Sequence, residues 1–529
     1  MKRFINYLFL LCLSVLNHNL AFSSGESPYT GYFSGAGSGT LADPFQVSNT
    51  TQLDEVRNNL DAHYIQTADI DLDVSPYNTG AGWDPIGVLD TVFSGTYDGG
   101  GYTIASLFIN TGDNYAGLFG MVDGATLKNL LLTDVDITGT WYAGALAGFA
   151  KNSTNISGCG STGSVSGDYN IGGLVGESNN STITGSFSTA SAGGIQVIGG
   201  LAGYQNGTVT NCYARGAVDG TETIAGLVGH NAGTVENSYS TGAVSASTDL
   251  KGGLTWSNTS AYVTNSYWDT ETSGQASSSG GTGKTTGIMQ KQAFFIGAGW
   301  DFTDTWGYNA GENDGYPFLR FEGITHQPLF AGGNGTPGDP WQISTPVQLS
   351  DTRFLLDKHY ILVADLDLGG DAPGGDFYNG GEGWEPLGSG STDKFTGSLD
   401  GNGHNISNLF IDRGSDYYVG LYGYINGATI TDLALTGTDV TGQTWTGGLA
   451  GIAYSATITN CSVSGEVNAA SSAGGLVGST IDGSLEDVTS SATVTTTGNT
   501  CGGIIGSTQG TSVAKAFFSG TVSGSGLVG

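Results

Sequence analysis

The phrase AGLFG at Ala116–Gly120 returns along the chain as GALAG, GGLVG, GGLAG and AGLVG, the last of these at Ala225–Gly229. Successive central leucines from Leu118 to Leu254 are 26 to 28 residues apart. The phrase reappears in the second half around Leu421, and it recurs there with a similar period. A fixed period of this size is typical of a solenoid, in which each repeat buries its apolar face against its neighbours.

The residues between the phrases identify the type of solenoid. Segments such as GTVTNCYARGAV (Gly207–Val218) and GTVENSYSTGAV (Gly233–Val244) are short runs of β-branched residues bounded by Gly and Asn. Such runs favour strands separated by turns, and they lack the spacing of apolar residues that a helix needs. About 27 residues accommodate three short strands and three turns. The sequence therefore predicts an all-β fold, a right-handed parallel β-helix.

Glycine is abundant, with 91 glycines in 529 residues. Their fixed places beside the leucine of each phrase indicate corners of the coil. We expect them to be needed there for positive φ or for close backbone approach. The placement argues against disorder, as does a hydrophobic content of 38%.

The phrase [AG]-G-L-x-G, followed by a V/I-x-N-[CS]-Y/F stretch, resembles the GLUG repeat. That family is found in large bacterial surface proteins and adhesins, and beside the N-terminal β-helix of IgA-specific metallopeptidases. The resemblance implies a β-helical surface protein with an adhesin-like role. It implies no active site, because the family is defined by its repeat.

The chain contains two tandem copies of one design. Gly37–Leu72 matches Gly333–Leu368 at a constant offset of 296 residues. We predict that each matching segment caps the start of a solenoid, because an open β-helix end exposes unpaired backbone and core. Within the first cap, Ser48 is the predicted N-cap of a short helix whose Leu53, Val56 and Leu60 fall on one face. Ser344 is the predicted N-cap in the second.

The predicted domain boundaries follow from this duplication. The first capped β-helix is expected over residues 34–322 and the second over residues 324–529. Five aromatic residues between the copies are expected to cover the end of the first stack: Trp300, Phe302, Trp306, Tyr316 and Phe318. The second copy stops inside a repeat phrase, and we expect the natural protein to continue beyond Gly529.

Residues 1–23 predict a secretory signal. Lys2 and Arg3 precede an apolar run, Phe4–Leu16, that is too short to span a bilayer. The product is therefore expected to be secreted or held at the bacterial cell surface. Loss of Lys2 and Arg3 leaves 13 basic against 47 acidic residues, a net charge of −34. Such an acidic chain is not expected to bind nucleic acid or to insert into a membrane.

Four cysteines remain after the signal. Cys159, Cys212 and Cys461 each lie three residues after an equivalent Ile or Val, so they occupy one slot of the coil. Ser186 takes that slot in the coil between Cys159 and Cys212, which places their α-carbons roughly 9–10 Å apart. A disulfide does not reach that far. We expect these cysteines to be reduced, buried fillers.

The principal alternative is a carbohydrate-active, pectin-lyase-like enzyme, because DGNGH at Asp400–His404 resembles turns of such β-helix enzymes. Glycosidic cleavage needs two carboxylates roughly 5–10 Å apart. Asp98 and its counterpart Asp400 are single, and we expect the aligned positions of later coils to hold Gly, Ser, Thr or Asn. The sequence has no His-Glu-x-x-His zinc motif. We therefore predict no catalytic residues and no enzymatic activity.

Metal and cofactor sites are not predicted. His63 and its equivalent His359 are expected to make structural hydrogen bonds. Asp69, Asp71 and Asp73 alternate along one predicted strand, as do Asp365 and Asp367 in the second copy. Such rows gather calcium in some proteins, but a solvated outer face is the favoured interpretation.

These observations predict an exported, non-catalytic β-helical repeat protein. The resemblance to the GLUG family implies a role in adhesion or surface interaction, with glycans or host or matrix surface proteins as partners. Rigid display of another domain is the alternative. Binding is expected through stacked polar ladders and loop aromatics.

Overall fold

The computed structural model describes residues 31–256, 262–373, 375, 377–498 and 500–528. The predicted secretory signal lies outside these residues. The chain divides into two compact units. The first contains the chain up to Met289 together with Leu319–Ile324, and the second contains Gln290–Phe318 and the chain from Thr325 onward.

Three ladders of strands build the first unit. The first ladder contains Phe45–Val47, His63–Gln66, Thr96–Asp98, Thr126–Lys128, Asn155–Ser157, Thr182–Thr184, Thr208–Thr210, Thr234–Glu236 and Tyr262–Thr264. The second contains Ile70–Asp71, Thr103–Ala105, Phe108–Asn110, Tyr115–Ala116, Leu131–Thr138, Tyr142–Ala143, Gly160–Gly172, Phe187–Ser188, Ser191–Gly199, Tyr213–Ala214, Val218–Gly220, Glu222–Ala225, Tyr239–Ser240, Val244–Ala246, Lys251–Gly252, Tyr267–Asp269 and Thr282–Lys284. The third contains Phe119–Asp123, Ala147–Lys151, Val175–Asn179, Ala202–Gln205, Val228–Asn231 and Thr255–Trp256.

The second unit repeats this plan. Its first ladder contains Trp341–Ile343, His359–Leu362, Ser398–Asp400, Thr429–Thr431, Thr457–Thr459, Ser484–Glu486 and Ser512–Ala514. Its second contains Leu366–Asp367, Asn405–Ser407, Phe410–Val419, Ala434–Gly447, Ser462–Ala469, Ser472–Gly474, Thr489–Ser490, Thr493–Thr496, Thr500–Gly502, Phe517–Phe518, Thr521–Gly524 and Leu527–Val528. Its third contains Tyr422–Asn426, Ala450–Tyr454, Val477–Ile481 and Ile505–Gln509.

Helices and one short sheet complete the elements. The α-helices are Thr50–Glu55, Thr286–Met289, Gln292–Gly297 and Pro346–Asp351. The 3-10 helices are Val56–Asn58, Asn313–Gly315, Arg320–Glu322, Thr352–Phe354 and Asn379–Gly381. Trp306–Gly307 and Phe318–Leu319 form a two-stranded sheet.

Neighbouring strands of each ladder are parallel and come from successive coils. Asn155–Ser157 pairs with Thr126–Lys128 on one side and with Thr182–Thr184 on the other. The amide of Leu174 donates to the carbonyl oxygen of Leu201 at 3.0 Å, so successive phrase leucines lie one strand spacing apart. The predicted all-β fold is confirmed: each unit is a parallel β-solenoid.

The core of each unit is a column of aliphatic side chains. The phrase leucines of the first unit, Leu118 to Leu254, have no exposed surface. Ile156, Ile183 and Val209 stack on the inner side of the first ladder and are equally buried. Because each coil buries its apolar face only between the coils beside it, periodicity in the sequence becomes one continuous core.

The caps contain the predicted helices, but the predicted N-caps are wrong by one residue. The side chain of Asn49, not Ser48, accepts the Gln52 amide at the start of Thr50–Glu55. Thr345, not Ser344, does the same at Pro346–Asp351. The glutamine at the third helical position instead reaches back, and its side-chain oxygen accepts the hydroxyl of Ser48 or Ser344, which completes the cap.

The phrase glycines serve close approach and not positive φ. A β-carbon on Gly172 would lie 2.0 Å from the carbonyl oxygen of Val175, and one on Gly199 equally close to that of Ala202. A left-handed corner lies elsewhere, directly after the strands of the first ladder from Thr126–Lys128 to Tyr262–Thr264. Asn211 (φ 54°) and Asn237 (φ 47°) occupy it, which suits asparagine because this residue tolerates that region.

The aromatic segment between the two copies is divided between the two compact units. Gln290–Phe318, which carries the five predicted covering aromatics, groups with the second unit and not with the first. Ala293 is part of the second unit's core, and Lys291 forms an ion pair with Asp351 at 3.5 Å. Only Leu319–Ile324 returns to the first unit.

The cysteines of the described residues are unpaired and buried, as predicted. In the shared slot, the hydroxyl of Ser186 accepts the amide of Cys159 at 3.2 Å, and the hydroxyl of Ser238 accepts that of Cys212 at 3.1 Å. Burial raises the pKa of the Cys159 and Cys212 thiols to about 12, which makes them unreactive.

Candidate functional site

Aromatic side chains stack on the outside of the first unit, immediately before the leucine phrase. Tyr115 pairs in register with Tyr142, and their rings stack with centroids 5.2 Å apart and an interplanar angle of 6°. Trp141 stacks on Tyr169 at 4.9 Å, and 48% of Trp141 is exposed. The parallel register causes this stacking, because a residue that recurs with the coil period lies above its predecessor.

The second unit has aromatic residues at the equivalent corner. Tyr418 stacks on Trp445 with ring centroids 5.2 Å apart and an interplanar angle of 9°. Tyr417 is 54% exposed, and its ring centroid lies 6.2 Å from that of Trp445. The ring centroid of Tyr424 lies 5.7 Å from that of Tyr418. We call these two sites the aromatic corners: Tyr115, Trp141, Tyr142 and Tyr169 in the first unit, and Tyr417, Tyr418 and Trp445 in the second.

The backbone has a left-handed conformation at the second aromatic corner. Tyr418 and Trp445 have φ values of 59° and 54°, a region that bulky residues rarely adopt. In the first unit, the coil beside Tyr142 has Asn170 at this corner, with φ 50°. Val197 (φ 61°) and Thr223 (φ 55°) follow Asn170 at the same corner in the next two coils. The left-handed conformation therefore belongs to the corner itself and not to the aromatic rings.

A cavity of about 370 Å³ adjoins the second aromatic corner. Tyr417 and Tyr418 line one part of it, and Glu385, Arg413 and Asp416 line another. Nη1 of the Arg413 guanidinium lies 3.0 Å from the carboxylate of Glu382 and 3.6 Å from that of Asp416.

A second arginine, Arg353, contacts Glu385, which is one of the residues that line this cavity. Arg353 forms an ion pair with Glu385 and lies over the ring of Trp384, 5.8 Å from its centroid. The first unit has the same arrangement of Arg57 over Trp83, at 5.3 Å. This arrangement of arginine and tryptophan is thus common to both units, whereas the position of Arg413 is occupied by Thr111 in the first unit.

Polar side chains form columns along the first ladder. Asn460 donates to Asp432, and Lys515 lies 3.0 Å from Glu486 and 3.2 Å from Asp487. The first-unit column begins at Asp98, which lies 3.0 Å from the ammonium of Lys128. These contacts cross-link neighbouring coils through exposed or half-buried groups, and each contributes little to stability.

Asp98 and Asp400, the two acids considered as catalytic groups, have no second carboxylate at the in-register position of the next strand. Asp98 pairs in register with Lys128, and Asp400 with Thr431. Partial burial opposes ionisation of Asp98, but hydrogen bonds from Gly100, Asn129 and Lys128 hold its pKa below the usual value. The prediction of Gly, Ser, Thr or Asn at all later positions is wrong, since Lys128 and, further along the same row, Glu236 occupy them.

The aspartates considered as calcium ligands accept hydrogen bonds from main-chain and side-chain groups of the protein itself. Asp69 accepts the amide and hydroxyl of Thr103, and Asp71 accepts the amide of Asp73. Asp365 accepts the amide of Asn405, and Asp367 accepts the side chain of Asn408. Within the described ranges, no group of three or more His, Cys, Asp or Glu residues is arranged to hold a metal ion.

The equivalent histidines differ in their contacts. Nδ1 of His359 lies 2.9 Å from the hydroxyl of Ser398, which is a structural hydrogen bond as predicted. His63 is paired in register with Thr96, and across the part of the chain that the structure describes its Nδ1 has no hydrogen-bond partner. Ser398 occupies in the second copy the position that Thr96 has in the first.

A buried carboxyl lies beside an internal aromatic stack of the first unit. Phe187, Tyr213 and Tyr239 stack at 5.1 Å intervals, and Phe321 lies 6.0 Å from Phe187. Glu322 accepts the Tyr213 hydroxyl at 2.8 Å. Burial raises the pKa of Glu322 to about 7, although hydrogen bonds from Leu319 and Tyr213 oppose this shift.

Sequence reasoning found the repeat that carries these aromatics but missed the aromatic corners. The signal was present: Tyr115 and Tyr142 are 27 residues apart, as are Tyr418 and Trp445. What the sequence did not reveal is the cavity beside the second corner, because its lining brings Arg413 together with Glu385 and Ser389.

The fold and the aromatic corners define the class: a parallel β-solenoid protein with partly exposed aromatic residues stacked in register at its surface. The chain carries the GLUG motif at residues 194–219, 444–468 and 469–495, and each match is about one coil long. Across the described residues, no helix is long and apolar enough to cross a membrane.

Three relatives share segments of this chain. Halomucin of Haloquadratum walsbyi is 40% identical over 28% of the chain, and the match covers 2% of that protein. A protein of Evansella cellulosilytica, provisionally named a glycine-rich membrane protein, is 36% identical over 24% of the chain and is covered to 14%. The immunoglobulin A1 protease of Streptococcus sanguinis is 31% identical over 30% of the chain and is covered to 8%. The chain thus spans only a small part of these relatives.

A crystal structure of a Bacteroides ovatus protein, provisionally described as an immunoglobulin A1 protease, is also similar. It is 21% identical, and the alignment covers 54% of this chain and 94% of that one with a TM-score of 0.42.

Proposed function

We propose that the chain is an exported, non-catalytic surface protein that binds its partner through the aromatic corners. The observation that carries this proposal is the in-register stacking of half-buried rings at the same corner of both units, Tyr115 on Tyr142 and Tyr418 on Trp445. An exposed aromatic side chain stands beside each stack, Trp141 in the first unit and Tyr417 in the second. Rigid aromatic rings give a large contact area at little cost in conformational entropy, and they are enriched where proteins bind other molecules.

The scaffold beneath the rings suits recognition. Backbone hydrogen bonds join each corner to the coils on both sides, and the buried column of leucines fixes the coil spacing. Residues held on such strands lose little freedom when they bind. The acidic composition of the chain and the membrane-protein name of one relative support a location at the cell surface. Glycans and host or matrix surface proteins are the proposed partners.

Display of another domain is the second candidate function. The curated relatives are much longer than the segments they share with this chain, which covers 2%, 14% and 8% of them. In this case the solenoids serve as a spacer and the aromatic corners bind no partner. A carbohydrate-active enzyme is the third candidate, favoured only by the DGNGH turn.

The binding proposal is tested with the chain lacking residues 1–23. The protein is applied to a panel of immobilised polysaccharides, fibronectin and collagen, and retention is measured beside a Trp141→Ala/Trp445→Ala double variant. We expect retention on at least one surface, with at least a tenfold loss in the double variant. Tyr102→Ala, which removes an exposed ring outside both corners, is the matched control.

Two results contradict the binding proposal. Absence of retention on the whole panel leaves the display function. Release of reducing ends or unsaturated uronates, abolished by Asp400→Ala, establishes the enzyme instead.

A further inference from the structure

The cavity beside the second aromatic corner combines two kinds of surface. Tyr417 and Tyr418 contribute aromatic rings, and Glu385, Arg413 and Asp416 contribute charged groups, with Ser389 at the edge. Its volume of about 370 Å³ lies within the range of small-ligand sites. A ligand that fills it needs one apolar face and several hydrogen-bonding groups.

From this combination we infer that the cavity binds a neutral pyranose unit of a glycan; the inference rests on the proposed function and names its partner. A pyranose ring presents an apolar face of C–H groups that packs on an aromatic ring. Its edge carries hydroxyls, each of which donates and accepts hydrogen bonds. Carboxylates accept from these hydroxyls and a guanidinium donates to them, so Asp416 and Arg413 together match neighbouring hydroxyl groups.

Charge argues for a neutral sugar over a charged ligand. Arg413 already lies against the carboxylates of Glu382 and Asp416, and Arg353 against that of Glu385. An anionic sugar would meet Glu385 and Asp416, and the one cation among the described residues that line the cavity, Arg413, is already paired with carboxylates. A cationic ligand would meet carboxylates that are already paired with arginine. The paired groups nevertheless keep lone pairs and N–H groups for hydrogen bonding.

The position of Arg413 depends on a local difference between the copies. The first unit has Thr111 there, seven residues before Leu118, whereas Arg413 lies eight residues before Leu421. The longer segment of the second unit holds Ser415 and Asp416, and the Ser415 hydroxyl donates to the Asp416 carboxylate at 3.2 Å. The cavity is therefore an elaboration of a corner that both units share.

The test uses the chain lacking residues 1–23, with immobilised dextran, mannan and galactan as neutral probes. Polygalacturonate is the anionic probe and poly-lysine the cationic one. Tyr417→Ala removes a ring, and Arg413→Thr introduces the residue of the first unit, which that copy of the fold accommodates. Trp141→Ala removes a ring of the first corner only. Circular dichroism and the thermal midpoint confirm that each variant is folded.

We expect retention on at least one neutral polysaccharide, at least tenfold weaker in both Tyr417→Ala and Arg413→Thr and unchanged in Trp141→Ala. Retention is expected to persist between 50 and 500 mM salt, because no net charge is exchanged. If the neutral glycan is retained through Trp141 and not through Tyr417 or Arg413, the cavity is not the site although the proposed function stands. Retention of only a charged probe overturns the neutral-sugar inference, and so does retention of none of the probes.

Discussion

The main-chain amide of Leu146 donates a hydrogen bond of 2.9 Å to the carbonyl oxygen of Leu174, 28 residues later in the chain. The same bond links Leu449 to Leu476 in the second unit at 2.9 Å. One residue type in one register thus connects successive coils in both units. Because the coils are closely spaced at this point, a larger residue in place of a phrase glycine is expected to destabilise the unit.

Gly172→Ala is expected to destabilise the first unit by about 1–3 kcal/mol, because the added methyl group has no space. Its β-carbon would lie 2.0 Å from the carbonyl oxygen of Val175. Gly112→Ala is the control, since a β-carbon there meets nothing within 4 Å. Urea denaturation of both variants measures the difference. Equal midpoints would show that close approach does not explain the phrase glycines.

Asn211→Ala is expected to cost about 1 kcal/mol, because alanine tolerates the left-handed region less well than asparagine. Asn211 has φ 54° at the corner after its first-ladder strand. Asn211→Gly keeps that conformation accessible and is expected to change stability less than Asn211→Ala does. A larger loss in the glycine variant would assign the role of Asn211 to its side-chain contacts. Thermal and urea unfolding provide the comparison.

The thiols of Cys159 and Cys212 are expected to resist labelling by a thiol reagent at pH 8 until the protein is unfolded. Burial raises the pKa of each to about 12, so the reactive thiolate is scarce. Cys212→Ser is expected to fold, because Ser186 and Ser238 occupy the same slot in adjacent coils. Rapid labelling of Cys212 in the native protein would contradict the buried slot.

The stability of the first unit is expected to fall as pH rises, through Glu322. Its folded pKa is raised from 4.5 to about 7 by burial, so the carboxyl binds its proton more tightly in the folded state. The associated stability is fully present below pH 4.5, decreases as pH rises, and is lost above about pH 7.

Glu322→Gln is expected to remove this component of the pH dependence, since glutamine keeps the acceptor for the Tyr213 hydroxyl without titrating. Tyr213 and Arg215 are the neighbouring groups that also influence Glu322. Melting temperatures measured between pH 4 and 8 for both proteins give the comparison. Parallel profiles would show that another group is responsible.

The solenoid was predictable because its signal is long-range and repeated. Leu118 and its successors return at a period that fits one coil, and their neighbours are β-branched. The cap helix was predictable in place but not in its first residue, because Ser48 and Asn49 are both good N-caps. The slot of Cys159 and Cys212 was predictable because residues with the coil period must stack.

Features that depend on neighbouring atoms were not predictable. A glycine required for close approach looks the same in sequence as one required for positive φ. The sequence therefore left both explanations open for Gly172. The segment that carries Trp300 and Trp306 lies between two solenoids, and its composition does not show which one it packs against. The cavity beside Tyr417 requires Arg413 and the cap to meet in space.

The bonds between phrase leucines have an evolutionary consequence. Removal of residues 175–201 would join Leu174 directly to Ala202 and bring the next coil into the register of the one lost. Unequal recombination between similar segments of the gene can therefore shorten or lengthen a stack by whole coils. Selection can tune the number of coils in this way without redesigning the caps or the binding surfaces.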